Sequence, residues 1–388
     1  MDSSPPRTQS TTMNHSAIYP SLAIAFSSAS PRSAIMPWVA ISQLIFALCA
    51  LPGCAVTPTT APQAPPRVAP ASAAIAPAGP VSDRVPSPCV AVDKPYVGTI
   101  CTPSGAASIR HPAIVVFGGY GDNGEGRRLA LELSGRGYVT AGVSYFGVPG
   151  TPRTLVDVPV EIGVAAVTAL AARPDVDPRR LAVIGTSKGG EYALLVATAT
   201  PAVKAVIANV PSPFAWHGLG LHGTPTGCSW SQSGRTLPCV PPDVVAGQEA
   251  WQTIRAGHPV GFRIAYEAAR RNTASVERAL FPLERIAGPV LCLAAGDDQV
   301  WNSSARCDLA LDYLRAHRHA FADRAVTFPG AGHLYLMARS GPSAALNTAP
   351  MGGGGRMVFG GTPEADANAA TAAVKIIDDF LSNLATDR

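Results

Sequence analysis

Leu181-Ala-Val-Ile-Gly185-Thr-Ser187-Lys-Gly189-Gly-Glu191-Tyr-Ala-Leu-Leu-Val-Ala197 is the stretch on which the reading of this chain turns. Four apolar residues, Leu181 to Ile184, run into Gly185-Thr186-Ser187-Lys188-Gly189, and a helix-like segment, Glu191 to Thr198, follows. Strand, small-residue turn and helix in that order are the context that a G-x-S-x-G nucleophile elbow requires. The turn lifts a serine hydroxyl above the end of the sheet. Its neighbours must be small because the strand and helix backbones crowd there. Ser187 is therefore the candidate nucleophile.

A serine hydroxyl needs a base, and the base needs an orienting acid. On this type of scaffold the chain order is serine, acid, histidine. Asp297 and Asp298 follow a strand-like run, Val290 to Ala295, and His333 follows another, Ala325 to Phe328. Both positions fall on loops at the strand ends where the elbow also lies. Asp298 is favoured as the acid because Asp298-Gln299-Val300 has the form of the acid turn of such enzymes, with Asp297 left open as the alternative. His333, in Pro329-Gly330-Ala331-Gly332-His333, is the candidate base. Two backbone N–H groups should receive the oxyanion: that of Lys188, and that of Gly119 or Tyr120 in the turn Phe117-Gly118-Gly119-Tyr120-Gly121. His217 and His222 are weaker candidates for lining the pocket.

Outward from the elbow, strand-like and helix-like segments alternate from about residue 87. That rhythm predicts an α/β fold, a mostly parallel sheet flanked by helices. Strands are expected at 113–117, 138–144, 181–184, 205–210, 290–295 and 325–328, after a hairpin over 89–101. Helices are expected near 126–135, from an Asp157 cap to about 173, over 304–314, and from Thr362 to about 384. The rhythm stops over 211–287, a cap-like insertion, and a Gly-rich loop spans 340–361. Residues 87–388 are thus the expected catalytic domain.

The N-terminal part has another character. Residues 1–54 read as a leader with an export signal: an apolar run from Trp38 ends in Leu51-Pro52-Gly53-Cys54. This resembles the lipobox of bacterial lipoproteins, which implies lipidation at Cys54 and attachment to a membrane through that anchor alone. The apolar run is short for a membrane span. Residues 55–86, dense in Pro, Ala and Thr, read as an extended tether. An exported protein of the cell envelope or periplasm is expected. Beyond Cys49 and Cys54, six cysteines remain, and an even number in an exported chain suggests disulfides. Proximity suggests Cys89–Cys101 and Cys228–Cys239. The net charge of +4 is small and scattered, which argues against a nucleic-acid partner. No cysteine spacing suggests structural zinc, and the Gly-rich turn lacks the phosphate-loop pattern. No metal or cofactor is expected.

Several segments together resemble the C-terminal catalytic domain of acyl-CoA thioesterases and bile acid-CoA:amino acid N-acyltransferases, with a dienelactone-hydrolase-like fold. They are Gly185 to Glu191, in which Lys188 and Glu191 are more telling than the bare elbow, Pro282-Leu-Glu-Arg-Ile286, Asp297-Asp-Gln-Val-Trp-Asn-Ser303 and Pro329 to His333. The resemblance covers about residues 113 to 384. It implies an α/β-hydrolase with a Ser187, Asp298 and His333 triad acting on acyl thioesters, and the expected substrate is a small-molecule acyl ester or thioester. The acyltransferase members carry cysteine as nucleophile, so Ser187 favours hydrolysis. The family's N-terminal β-sandwich is not expected in so short a space after the tether. For the Lys188 and Glu191 side chains, a solvated i, i+3 pair on the first helical turn is an equally good reading. The alternatives are an acyltransferase or peptidase on the same fold, or a non-catalytic surface-anchored binding protein.

Overall fold

A computed structural model describes residues 89–104, 110–121, 125–351 and 354–384. The leader, the Leu51–Cys54 segment and the tether lie outside the described residues.

Eight strands make the central sheet: β1 (Cys89–Val92), β2 (Val97–Cys101), β3 (His111–Phe117), β4 (Val139–Ser144), β5 (Val176–Thr186), β6 (Ala205–Asn209), β7 (Val290–Ala295) and β8 (Arg324–Phe328). Their spatial order is β1-β2-β4-β3-β5-β6-β7-β8. The first two strands join antiparallel, and every pairing from β4 to β8 is parallel. This is an α/β-hydrolase fold.

The middle strands read as unbroken apolar runs because both of their faces are covered. Successive side chains of β3 alternate between faces. Val115 and Phe117 join the core under α2 (Val160–Ala171), α3 (Lys188–Ala199) and α7 (Ser303–Ala316). Ile114 and Val116 join the core under α1 (Glu125–Ser134) and α8 (Pro363–Asn383). Each of these buried apolar side chains contributes about 1.5–3 kcal/mol relative to exposure.

Between β6 and β7 the chain builds a cap. His217–Leu219 pairs with Pro225–Cys228, and Trp230–Gln232 pairs with Arg235–Thr236 and, in parallel, with Val158–Pro159. Helices α4 (Val244–Arg255), α5 (Arg263–Arg270) and α6 (Thr273–Ala279) follow. Phe214, Trp216, Val240, Ala269 and Ala279 form a core of the cap's own, shared with Val300 and Trp301 of the loop after β7. The Arg306 guanidinium lies over the rings of Phe214 and Trp216 and pairs with Glu267 at 2.5 Å.

Disulfides join Cys89 to Cys101 across the first hairpin and Cys228 to Cys239 within the cap. Such bonds form and persist in oxidising, exported environments. The other two cysteines of the domain, Cys292 on β7 and Cys307 on α7, are free thiols buried in the core. Among the described residues no helix is long and apolar enough to cross a membrane.

Two local expectations are corrected. Asp157 does not cap α2; the N-cap is Pro159, whose φ of −66° already suits a helix start. Asp157 takes φ 50°, turning the chain into the short strand beside Trp230, and accepts a hydrogen bond from Thr236 Oγ1 at 2.7 Å. The Gly-rich loop is more regular than its composition suggests. Thr348–Pro350 and Arg356–Val358 pair in it, and the latter also pairs with Pro259–Val260 of the cap.

Candidate active site

The strand β5 ends at Thr186 and α3 begins at Lys188, so Ser187 alone makes the turn. It does so at φ 58° and ψ −119°, a conformation that costs a non-glycine residue about 1–3 kcal/mol. The surroundings hold it there. Ser187 N–H donates to Asn209 O at the end of β6 (2.9 Å), and Ser187 O accepts from Glu191 N–H (3.0 Å). The motif glycines are required by space. A Cβ on Gly185 would run into the Gly189 carbonyl, and one on Gly189 into the carbonyls of Phe117 and Gly118.

His333 and Asp298 arrive from loops after β8 and β7. His333 Nε2 lies 2.9 Å from Ser187 Oγ, and His333 Nδ1 lies 2.9 Å from Asp298 Oδ2. Asp298 is fully buried, and its Oδ1 accepts the N–H groups of Val300 (2.9 Å) and Trp301 (3.1 Å). With Nδ1–H donating to the carboxylate, the neutral ring presents an acceptor at Nε2 to the serine hydroxyl. Asp297 points elsewhere. Its carboxylate accepts from Gly361 N–H (2.9 Å) and Gln299 Nε2 (2.6 Å). The Trp301 ring meets the His333 ring edge-on at 5.4 Å between centroids.

The glycine turn after β3 comes to the same place. A Cβ on Gly119 would lie 3.5 Å from Ser187 Cβ, so this backbone runs beside the nucleophile. Tyr120 is exposed and stacks on Phe146 at 5.9 Å. Lys188, as the first residue of α3, has a backbone N–H with no partner inside the helix.

The Lys188 and Glu191 side chains are not a solvated pair. Both are buried, with Lys188 Nζ 3.2 Å from each Glu191 carboxylate oxygen. Burial pushes the lysine pKa down and the glutamate pKa up, and each charge opposes the shift of the other. Lys188 Nζ also donates to Ser229 Oγ at 2.8 Å. Residues 216–230 of the cap therefore cover the first turn of α3.

His217 lies within that cover. Its pKa is pushed down to about 3 by burial and by the nearby Lys188 charge. It stacks on Tyr266, which stands edge-on to Trp301. His222 sits at positive φ on an exposed cap turn.

Three supporting residues escaped the sequence reading. Asn209 Oδ1 accepts from Tyr335 Oη at 2.6 Å, tying the end of β6, whose carbonyl holds the Ser187 N–H, to the segment just after His333. Asp366, in the first turn of α8, accepts from Gly332 N–H at 2.7 Å and from Asn347 Nδ2 at 2.8 Å. An amide ending an otherwise apolar strand was the available signal for Asn209. No signal connected Asp366 to Gly332, thirty-four residues away.

Residues 158–386 match the family model described as BAAT / Acyl-CoA thioester hydrolase C terminal, which is more than half of the chain. The chain belongs to that family. Among curated relatives is human acyl-coenzyme A thioesterase 6. It is 25% identical over 257 residues, covering 65% of this chain and 55% of the relative. Mouse acyl-coenzyme A amino acid N-acyltransferase 1 is 26% identical over 205 residues, covering 53% of this chain and 44% of the relative. The chain spans about half the length of the curated relatives it matches. A solved puromycin-hydrolyzing peptidase from Mycobacterium tuberculosis overlays 79% of this chain and 40% of its own, at TM-score 0.48 and 17% identity.

Proposed function

We propose that this protein is a serine hydrolase that cleaves acyl esters or acyl thioesters through an acyl-enzyme. The observation that carries the reading is the unbroken chain from Ser187 Oγ through the His333 ring to the buried Asp298, set on an elbow. Family membership supports the same chemistry.

In the first half-reaction Ser187 Oγ attacks the acyl carbonyl and His333 Nε2 takes its proton. Asp298 holds the ring in that tautomer and stabilises the imidazolium. The negative charge gathering on the carbonyl oxygen is received by the N–H of Lys188 and by that of Gly119 or Tyr120. Collapse expels the leaving group as His333 returns the proton to it, leaving an acyl ester on Ser187. Water, deprotonated by His333, then releases the acid and restores the serine.

Nothing in these steps distinguishes an alkoxide from a thiolate leaving group. Location argues for an ester. Two disulfides fit an oxidising compartment, where CoA thioesters are scarce. Cap arginines suited to the CoA phosphates are partly engaged elsewhere: Arg270 pairs with Glu267, Arg278 bonds Ser275, and Arg263 donates to the Asp298 carbonyl. We therefore assign higher kcat/KM to short or medium acyl esters than to acyl-CoA of equal chain length. We also assign lipidation of Cys54 as the membrane anchor, to be read by intact-mass measurement of membrane-extracted protein.

A fluorophosphonate probe tests the core of the reading, because only an activated serine reacts with it. Labelling of the unmodified protein at Ser187, and its absence in Ser187→Ala, is the expected result. An unlabelled but folded protein would leave a non-catalytic binding role.

A further inference from the structure

A lysine and a glutamate buried together one turn into the elbow helix call for an explanation. Moving such a pair out of water is costly, and a well-packed apolar pair of the same size often serves stability equally well. The packing around this pair is directional. Lys188 Nζ reaches both Glu191 oxygens, Ser229 Oγ and, at 3.4 Å, the His217 carbonyl. Glu191 Oε1 also accepts the backbone N–H of Trp216 at 3.0 Å and the indole N–H of Trp230 at 2.5 Å. Ser229 Oγ in turn contacts the carbonyls of Trp216 (3.0 Å) and His217 (2.9 Å). The Lys188 ammonium stands 5.7 Å from the centre of the Trp230 ring. Two cap segments, 216–217 and 229–230, thus converge on two side chains of α3.

Those side chains belong to the residues that frame the nucleophile. Lys188 follows Ser187 directly, and Glu191 N–H bonds Ser187 O. Fixing the tip of Lys188 and the carboxylate of Glu191 against the cap fixes the rotation of the first turn of α3. That rotation sets where the Lys188 N–H and the Ser187 hydroxyl point.

We propose that Lys188 and Glu191 are positioning residues, an ion pair through which the cap sets the geometry of the nucleophile and of the Lys188 oxyanion donor. The proposal rests on the serine-hydrolase reading and adds a role for side chains that touch no substrate. Misplacing reacting groups by about 1 Å can cost on the order of a hundredfold in rate without loss of binding. The signature is therefore a fall in kcat at constant KM.

The test uses the full-length protein and p-nitrophenyl esters. Rates are expressed per serine titrated with a fluorophosphonate, well below each variant's melting temperature. Glu191→Gln keeps the size and an acceptor for both tryptophan N–H groups but leaves the ammonium uncompensated. Lys188→Met keeps the length and removes the charge. Each should lower kcat by about ten- to a hundredfold and leave KM within about twofold. Should either single variant fail to fold, Lys188→Met combined with Glu191→Gln leaves no unpaired buried charge and keeps the measurement available. The double variant is expected to label and to remain at least about tenfold down in kcat. Unchanged kcat per titrated serine, or a loss confined to KM, would overturn the positioning role. Failure of the unmodified protein to label overturns instead the serine-hydrolase reading on which it rests.

Discussion

Ser187 and His333 meet at 2.9 Å, but the protein supports the two partners by different means. Beneath the nucleophile a buried carboxylate faces a buried ammonium, and the remaining contacts come from a cap segment more than twenty residues further along the chain. On the histidine side the carboxylates face neutral donors. Asp366 takes the Gly332 N–H, Asp297 the Gly361 N–H, and Asp298 the N–H groups of Val300 and Trp301. Backbone donors are fixed by the fold and need no counter-charge. A buried ion pair needs both members, and losing one strands the other at a cost of about 3–5 kcal/mol. The nucleophile side is thus the more vulnerable to a single substitution at its support, and the histidine side to displacement of a loop.

The largest test sets the two partners themselves side by side. Ser187→Ala should lower kcat by on the order of 10⁶, and His333→Ala nearly as much, with no further loss on combining them. Turnover surviving in purified Ser187→Ala would remove the nucleophile side from the comparison altogether. Next come the adjacent acids. Asp298→Asn should cost on the order of 10⁴ in kcat, because the ring loses the acceptor that sets its tautomer. Asp297→Asn, which disturbs only the Gly361 and Gln299 contacts, should cost far less. The reverse ranking would move the acid by one residue.

Smaller effects probe the cap. Replacing Cys228 and Cys239 by serine should destabilise the domain by about 3 kcal/mol, since the bond closes a loop of about a dozen residues. Equilibrium unfolding in urea would measure it, and an unchanged midpoint would show that the cap holds its shape without the bond. His217 yields a pH dependence. Its folded pKa, about 3, lies below the ordinary 6.5, so the folded state resists a proton that the unfolded chain accepts. The corresponding stability is present above pH 6.5 and is lost as pH falls towards 3. The slope is about 1.4 kcal/mol per pH unit from this one group. His217→Phe should flatten that part of the stability curve. An equal slope in both proteins would mean that His217 is not buried in neutral form.

Much of the architecture was legible in the sequence alone. Apolar runs such as Ala113–Phe117 and Val290–Ala295 announce strands covered on both faces, and Gly185-Thr-Ser187-Lys-Gly189 between a strand and a helix announces the elbow. The order of Ser187, Asp298 and His333 along the chain was readable for the same reason: each follows the end of a parallel strand. The cap was legible only as an interruption. Its strands are two to four residues long, too short to show a local period, and two of them pair with distant partners, Val158–Pro159 and Arg356–Val358.

The sequence by itself determined the sheet, the elbow, the candidate nucleophile and base and a pair of candidate acids, because backbone pattern, small-residue turns and chain order are properties of neighbours along the chain. Only the tertiary structure decided which aspartate faces His333, since Asp297 and Asp298 have the same local chemistry and differ in the direction their side chains take from one turn. It also decided that Lys188 and Glu191 are buried. Their i, i+3 spacing suits a solvated helix turn equally well, and what removes the water is Trp216, Ser229 and Trp230, brought over α3 by a cap whose path no local signal specifies. Burial is a property of what comes to lie above a residue, and for this helix turn that material comes from a remote part of the chain.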